Sequence, residues 1–355
     1  MIKPTFAMFI GSLLLFGSGH SIKAQEKAEV TIRVGSYGGA FDVLQTKYAV
    51  SLFTARTGVK VEFIDGNADD HLAKLIASKG REPPYDVVYL DDSVQVKAVA
   101  AGVIGKMNEK EVPNLKYVYD EAKDRDGYGP PMDFYSCGYI YNVEKFKEAG
   151  IPAPTSWADL WNPKLAGHVG VPTLNTTMGQ CFLAAAEHLA GGDESTPEKG
   201  IAKIAEIKAQ SYPGSSSTIT TLMTSGSAWA VPWLNGRAWG LIDKGLPFAY
   251  VLPKEGAYRG MTIIDVVAGT KHRAEALGYI NEILGPLFQL GMVHEFPYGP
   301  TNKMLIPILA ANPEMSKKFP ASPKDLDRLK PINWEMFNKM FPKAVDMWNR
   351  QVTSR

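Results

Sequence analysis

The chain has 355 residues, enough for two domains of ordinary size, and 45% of them are hydrophobic. Its 38 basic and 37 acidic side chains nearly cancel, and loss of Lys3 and Lys23 with a leader would leave 36 against 37, a formal charge of −1. This near-neutrality argues against a nucleic-acid partner, which would require a basic face.

The first 24 residues have the pattern of a secretory signal peptide. A short cationic start with Lys3 precedes an apolar core at residues 6–16, and the small residue Ala24 marks the expected cleavage site. A membrane anchor is the alternative, although the apolar core is short for a bilayer span. No cysteine lies near the cleavage site to carry a lipid. We therefore expect a protein that is free in the periplasm of a Gram-negative bacterium.

The next hundred or so residues alternate predicted strands and helices. Strands are expected at residues 30–34, 59–64 and 85–90, and helices at 41–57, 70–78 and from 91 to about 102. The third strand is continuously apolar, as buried parallel strands are. This succession is typical of a doubly wound α/β sheet.

In such sheets, ligands bind outside the carboxyl ends of the strands. The first strand is followed there by Ser36, Tyr37 and the pair Gly38-Gly39. The glycines would let backbone N–H groups approach a ligand and Tyr37 would stack on it, while a tight strand-to-helix turn is the alternative role. No phosphate-loop motif accompanies the glycines, so no nucleotide cofactor is expected.

A second loop at such a strand end contains Asp91, Asp92 and Ser93. We expect Asp91 to face the cleft. Asp92 and Ser93 have an alternative role as caps of the helix that follows.

A turn at residues 126–131 separates this region from a second succession of elements. Strands are expected at 132–142, 169–171, 228–233, 248–252 and 261–267, and helices at 181–189, 236–244, 272–284 and 336–349. Residues 173–180 gather hydroxyl and amide side chains at a helix start. That arrangement favours anions, although ordinary N-capping produces it as well.

Several motifs together carry a resemblance to a known family. They are TSWADLWNP at residues 155–163, GSAWAVPWLNG at 226–236, PKEG at 253–256 and YGPTN at 298–302. The chain resembles the extracellular solute-binding proteins of ABC importers, in particular the spermidine/putrescine-binding group, over nearly all of its length after the leader. The resemblance implies an α/β, two-lobed type II periplasmic binding protein, in which each lobe is a doubly wound mixed sheet flanked by helices and a hinge joins the two.

The resemblance also implies the organisation of the chain and its partners. Lobe 1 would comprise residues 25–131 plus 262–305, and lobe 2 residues 132–261 plus 306–355. The implied partners are one small ligand and the membrane permease of an ABC importer, with the protein a monomer and without a cofactor. The 155–163 motif would have a structural role as a packing knob.

The resemblance and the loop positions give a set of candidate ligand contacts. Asp133 and Phe134 are expected near the cleft floor at the first hinge crossing, and Trp233 as an aromatic wall, with burial in the core as its alternative. Tyr298 and Thr301 are placed at the cleft edge. The full set is Ser36, Tyr37, Gly38, Asp91, Asp92, Asp133, Phe134, Asn175, Thr176, Thr177, Trp233, Asn235, Arg259, Met261, Thr262, Tyr298 and Thr301.

The chain departs from the polyamine-binding group at three positions. The resemblance places carboxylates of those proteins where this chain has Thr177, Gln180 and Thr262. An ammonium left without a counter-charge in a cleft is costly, so a long polyamine is not expected.

Two kinds of solute remain open. One is a single amine or an amino-acid derivative that faces Asp91 or Asp133. The other is a small anion held by residues 175–177 together with Arg237 or Arg259, of which Arg259 is favoured.

Other functions are weaker alternatives. An enzyme is not expected, because the histidines have no metal-ligand spacing and no nucleophile motif has its required context. Ferric-iron binding is a closer rival within the same fold, but it would use adjacent tyrosines, and here Tyr135, Tyr139 and Tyr141 only alternate along one strand. A sensor that docks a receptor also remains open.

Two cysteines, Cys137 in a predicted strand and Cys181 in a predicted helix, would lie in an oxidising compartment. Their spacing is as compatible with a disulfide as with two buried thiols.

Overall fold

The computed structural model describes residues 30–123 and 126–354. The signal peptide and its cleavage after Ala24 therefore lie outside the described residues. The strands are β1 (Thr31–Ser36), β2 (Lys60–Asp65), β3 (Val87–Asp91), β4 (Ile104–Gly105), β5 (Pro131–Asn142), β6 (Val169–Gly170), β7 (Ala209–Ser211), β8 (Ala230–Leu234), β9 (Phe248–Val251), β10 (Tyr258–Val267) and β11 (Gly299–Pro300).

The α-helices follow the predicted succession, with further short helices between them. They are α1 (Ala40–Gln45), α2 (Ser51–Thr57), α3 (Ala68–Ser78), α4 (Asp92–Ala101), α5 (Val143–Glu148), α6 (Thr177–Leu189), α7 (Pro197–Ala205), α8 (Ser216–Thr224), α9 (Asn235–Ile242), α10 (Arg273–Ile283), α11 (Pro286–Glu295), α12 (Ile306–Ala310), α13 (Pro313–Ser316), α14 (Pro323–Leu326) and α15 (Trp334–Gln351). Within the described ranges, no helix combines the length and apolarity that crossing a membrane requires.

The first lobe is built on the parallel strands β1, β2 and β3, with β1 in the middle. The predicted helix 41–57 forms as α1 and α2 joined through a π-helical turn at Thr46–Val50. The helix ends at its C-cap residue Gly58, which has a left-handed φ of 75°. The side chains of β3 alternate between two cores, with Val87 and Tyr89 on one face and Val88 and Leu90 on the other. Burial on both faces explains why this strand is continuously apolar.

Two long antiparallel strands, β5 and β10, join the first lobe to the second. The C-terminal half of β10 pairs with β3, and its N-terminal half pairs with β5. Strand β5 then continues into the second lobe, where it pairs with β8 and β9. Among the described residues, this pairing produces one mixed sheet in the order β2-β1-β3-β10-β5-β8-β6-β7, with β4, β9 and β11 attached to its sides. The two crossings are the hinge between the lobes.

The second lobe packs α6, α7 and α15 around β5 and β8. Cys137 of β5 and Cys181 of α6 form a disulfide, which decides a question that their spacing left open. The 155–163 motif packs as expected: Ser156 begins a 3₁₀ turn with a capping box, and the buried Trp157 donates its indole N–H to the Gly256 carbonyl at 3.0 Å. The motif therefore ties the PKEG turn to the lobe and stays away from the cleft.

Candidate functional site

A cleft of about 550 Å³ opens between the lobes at the carboxyl ends of β1, β2 and β3. This is the edge at which ligands bind in doubly wound sheets, and the volume suits a small organic molecule. Its lining comes from both lobes and from the hinge. It comprises Tyr37, Gly38, Ala40, Phe41, Asn67, Ala68, Asp69, Asp70, Asp91, Ser93, Val94, Tyr135, Asn175, Thr176, Thr177, Met178, Gln180, Gly214, Ser216, Leu234, Arg237, Thr262, Phe296 and Tyr298.

Asp91 is the polar centre of the cleft. Its Oδ1 accepts a hydrogen bond from the Tyr37 hydroxyl at 2.8 Å, and its Oδ2 accepts one from the Thr177 hydroxyl at 2.9 Å. Burial raises the pKa of Asp91, while these two hydroxyl groups oppose the rise. Because Thr177 belongs to the second lobe and Asp91 to the first, this carboxylate also joins the lobes across the cleft.

The loop at residues 36–39 brings Tyr37 and Gly38 to the cleft. The turn requires glycine, because Gly38 has a φ of 75° and a Cβ there would lie 2.5 Å from a carboxylate oxygen of Asp65. Tyr37 packs against Phe41, with the ring centres 5.4 Å apart. Ser36 was predicted as a contact but is buried, and its hydroxyl donates to Asp42 below the loop.

Two carboxyl groups flank Thr262 at the hinge, the half-buried Asp91 and the fully buried Asp133. In the sheet, Thr262 of β10 lies beside Asp91 of β3 on one side and Asp133 of β5 on the other. Oδ1 of Asp133 accepts the Thr262 N–H at 3.3 Å, and its Oδ2 has no hydrogen-bond partner among the described residues. Burial raises the pKa of Asp133 to about 7, and the charge of Asp91 contributes to the rise. Asp133 therefore lies beneath the cleft floor and does not line the cleft itself.

Two tyrosines form an aromatic surface above the hinge. The rings of Tyr135 and Tyr298 have centres 5.8 Å apart, and each covers a glycine. A Cβ at Gly260 would come within 1.9 Å of the Tyr135 ring, and one at Gly236 within 2.4 Å of the Tyr298 ring. These two glycines are therefore required by the close approach of the rings. Burial raises the pKa of both tyrosines, so both hydroxyls stay protonated at neutral pH.

The start of α6 supplies residues 175–177. Thr176 is the N-cap, and its hydroxyl accepts the Gly179 N–H at 3.1 Å, so the capping alternative holds for this residue. Asn175 is exposed at the cleft, while Thr177 reaches across it to Asp91.

Arg237, in the first turn of α9, extends into the cleft. Its guanidinium carbon lies 5.8 Å from the centre of the Phe296 ring, and the group lowers the pKa of the nearby Tyr298 hydroxyl. Arg259, the arginine favoured from the sequence, does not line the cleft; its backbone N–H pairs with Lys330 at 2.8 Å. The difference arises because α9 begins at the cleft edge, whereas Arg259 precedes the cleft-lining Thr262 by three residues in β10 and so turns to the opposite face of the strand.

Several predicted contacts lie in the core and not on the cleft surface. Trp233 packs in an apolar cluster, and its indole N–H donates to Ser216 at 3.2 Å, so the core alternative describes its position. Asn235 is fully buried and donates to two backbone carbonyls while accepting the Ser136 N–H. Both side chains therefore pack beneath the cleft wall and support it without lining the cleft.

Four more predicted contacts have packing or backbone roles in the structure. Asp92 is buried at the start of α4 and accepts the Ser93 N–H. Phe134 stacks on Tyr119, and Met261 packs against the same cluster. Thr301 is fully buried, with its N–H bonded to Gln289.

Sequence reasoning missed the lining residues that follow β2. Asn67 caps α3, and Asp69 pairs with Lys97 at 2.9 Å on the rim of the cleft. The rule that selected the ends of β1 and β3 applies equally to β2 and would have found this loop. Phe41, Tyr135 and Phe296 were missed because the burial of an aromatic side chain depends on its neighbours in space.

Comparisons with known proteins agree with this architecture. The family described as bacterial extracellular solute-binding protein matches residues 49–323. The spermidine/putrescine-binding periplasmic protein of Escherichia coli is 27% identical over 245 residues, 66% of this chain and 68% of that protein. A gamma-aminobutyric acid-binding protein of Pseudomonas aeruginosa is 22% identical over 351 residues, 94% of this chain and 93% of the relative. A crystal structure of an ABC transporter protein from Clostridium perfringens superposes with a TM-score of 0.74 at 24% identity, covering 91% of this chain and all of that one.

Proposed function

Because this chain belongs to the bacterial extracellular solute-binding proteins, we propose that it binds a small polar organic solute in the interlobe cleft and delivers it to the permease of an ABC importer. The observation that carries the proposal is the Asp91 carboxylate, which is bonded from the first lobe by Tyr37 and from the second by Thr177. A solute at this position would contact both lobes, so its binding would favour their closure.

We propose that the predicted contacts that line the cleft bind the solute. They are Tyr37, Gly38, Asp91, Asn175, Thr176, Thr177, Thr262 and Tyr298. The proposed lobes are residues 25–131 plus 262–305 and residues 132–261 plus 306–355, in a monomer that acts in the periplasm after loss of residues 1–24.

The charges of the cleft argue against a long polyamine. Thr177, Gln180 and Thr262 are neutral, and Arg237 adds a positive charge. A second ammonium would have to reach the exposed carboxylates Asp69 and Asp70, of which Asp69 is already paired with Lys97, or would face the guanidinium. Neither arrangement supplies the buried counter-charge that a desolvated ammonium needs. The gamma-aminobutyric acid-binding relative, which aligns over nearly all of this chain, supports an amino-acid-like solute instead.

Ferric iron is the second candidate, since Tyr37, Tyr135 and Tyr298 all line the cleft. Burial raises the pKa of each of these tyrosines, which disfavours the phenolate that iron requires, and Tyr37 already donates to Asp91. Tyr139 and Tyr141, by contrast, are buried in the second lobe. Red colour on addition of ferric ion would favour iron over an organic solute.

A thermal-shift screen tests the proposal. The panel contains polyamines, amino-acid derivatives, opine-like conjugates, phosphonates and small carboxylates, each added to protein freed of solute by unfolding and refolding. By mass action, a solute at one hundred times its Kd raises the free energy of unfolding by about 2.7 kcal/mol, and the melting temperature rises with it. We expect a shift with at least one amino-acid derivative and little with putrescine or spermidine. The Asp91→Asn variant should lose the shift, and a panel without any response would contradict the proposal.

A further inference from the structure

The cleft floor carries negative charge on neighbouring hinge strands. Asp91 and Asp133 flank Thr262, and Asp91 already accepts hydrogen bonds from Tyr37 and Thr177. A carboxylate has lone pairs for more donors than two. The Asp133 side chain is fully buried, and its Oδ2 lacks a hydrogen-bond partner among residues 30–123 and 126–354. A buried carboxyl oxygen without a donor is costly, and a cation at the cleft floor would reduce that cost.

Positive charge enters the same cleft from Arg237. In the described part of the chain, the arginines that form ion pairs with carboxylates are Arg56, Arg273 and Arg350, and Arg237 is not among them. Its guanidinium lies near the Phe296 ring and is exposed to the cleft. The planar fork of N–H groups on a guanidinium matches the two oxygens of a carboxylate.

Tyr298 lies in the cleft together with both charged regions. Its ring lines the same cleft as Asp91 and Arg237, and it covers Gly236, the residue before Arg237. The entire cleft holds about 550 Å³. One small molecule can therefore reach from the acidic floor to the guanidinium.

We propose that the solute is a zwitterion, an amino acid or a short amino-acid derivative, whose ammonium is bound at Asp91, above the buried Asp133, and whose carboxylate is bound by Arg237. This inference rests on the proposed function and narrows its solute class. A simple amine leaves the guanidinium without a partner, and a simple anion leaves the acidic floor without one. A molecule that carries both charges pairs with both regions, which is how a binding site discriminates against analogues that lack one group.

Calorimetric titration with matched probes tests this inference on solute-free protein. The zwitterions are 4-aminobutanoate, 5-aminopentanoate and 2-aminobutanoate; the controls are butylamine, butanoate and putrescine. A hydrogen bond to a charged group changes affinity by about 10- to 100-fold. We expect at least one zwitterion to bind about tenfold or more tightly than butylamine and butanoate, with putrescine weaker still.

The Arg237→Gln variant tests whether Arg237 binds the carboxylate of the solute. It should weaken the best zwitterion by about 10- to 100-fold and leave butylamine within about twofold, because only the carboxylate loses its partner. Arg350→Gln makes the same charge change on the exposed face of α15 and should alter neither affinity. An equal loss for zwitterion and amine would indicate a merely structural role and would overturn the assignment.

The outcomes separate the two proposals. Tightest binding of an amine, an anion or a diamine, or no binding of any of these probes, overturns the zwitterion inference. The proposed function survives that result if the wider thermal-shift panel still yields a solute.

Discussion

Replacement of Asp133 by asparagine measures how much the buried carboxyl at the hinge lowers the free energy of unfolding. Burial, with a contribution from Asp91, raises the pKa of Asp133 from 3.8 to about 7. Between these two values the folded state binds more protons than the unfolded state, so the free energy of unfolding falls as the pH rises through this window and is flat above it. One pKa unit corresponds to about 1.4 kcal/mol, so the ionised group costs the solute-free protein on the order of 4 kcal/mol above pH 7.

The Asp133→Asn variant lacks this pH-dependent cost. Its buried amide adds an offset that is the same at every pH, so the informative quantity is the change in the stability difference between variant and wild type. We expect that difference to move in favour of the variant by roughly 4 kcal/mol from pH 4 to pH 8.5. Urea unfolding of solute-free protein at pH 4, 6 and 8.5, followed by intrinsic fluorescence, provides the measurement. Asp346→Asn, an exposed acid on α15, is the control. A stability difference that stays constant across this range would refute the reasoning.

Two further predictions concern the second lobe and its contact with the first. Replacing Cys137 and Cys181 by serine removes a disulfide that closes a loop of 44 residues, so the free energy of unfolding should fall by about 4 kcal/mol. Urea unfolding with and without reductant measures this loss. An unchanged unfolding midpoint would contradict the prediction. Asn338→Ala removes a 2.7 Å hydrogen bond from α15 to the Ser93 carbonyl of the first lobe, so solute affinity should fall by about 2- to 10-fold in calorimetry. The exposed Asn349→Ala should leave affinity unchanged, and equal effects of the two alanine variants would exclude a role for this interlobe bond in closure.

The order and type of the main elements could be predicted because local signals agree there. Glycines with left-handed φ end helices at Gly58 and Gly102, and the continuous apolar run of β3 matches its two-sided burial. The pairing of Cys137 with Cys181 could not be predicted, because it depends on α6 lying against β5. Sequence spacing contains no information about that contact.

The candidate site was harder to predict, since it depends on which face each strand turns to the cleft. Strand β8 is buried along nearly its whole length, so its alternation does not indicate whether Trp233 points to the cleft or to the core. Arg237 enters the cleft because α9 begins at the cleft edge after β8 has paired with β5. Asp91 could be found from its position at a strand end, a rule of topology that holds before any contact is known.

The cost in folding free energy of the buried Asp133 carboxyl has a further consequence for binding. Asp133 destabilises the solute-free cleft because its buried carboxyl lacks a full set of partners, whereas the solvent-exposed guanidinium of Arg237 carries no such cost. If an ammonium is bound above Asp133, the carboxyl becomes easier to ionise, so binding releases a proton near neutral pH and the affinity rises with pH through about 7. Calorimetry in buffers of different ionisation enthalpy would detect that proton. Its absence with a bound zwitterion would place the ammonium on Asp91 alone and leave Asp133 as an element of the hinge.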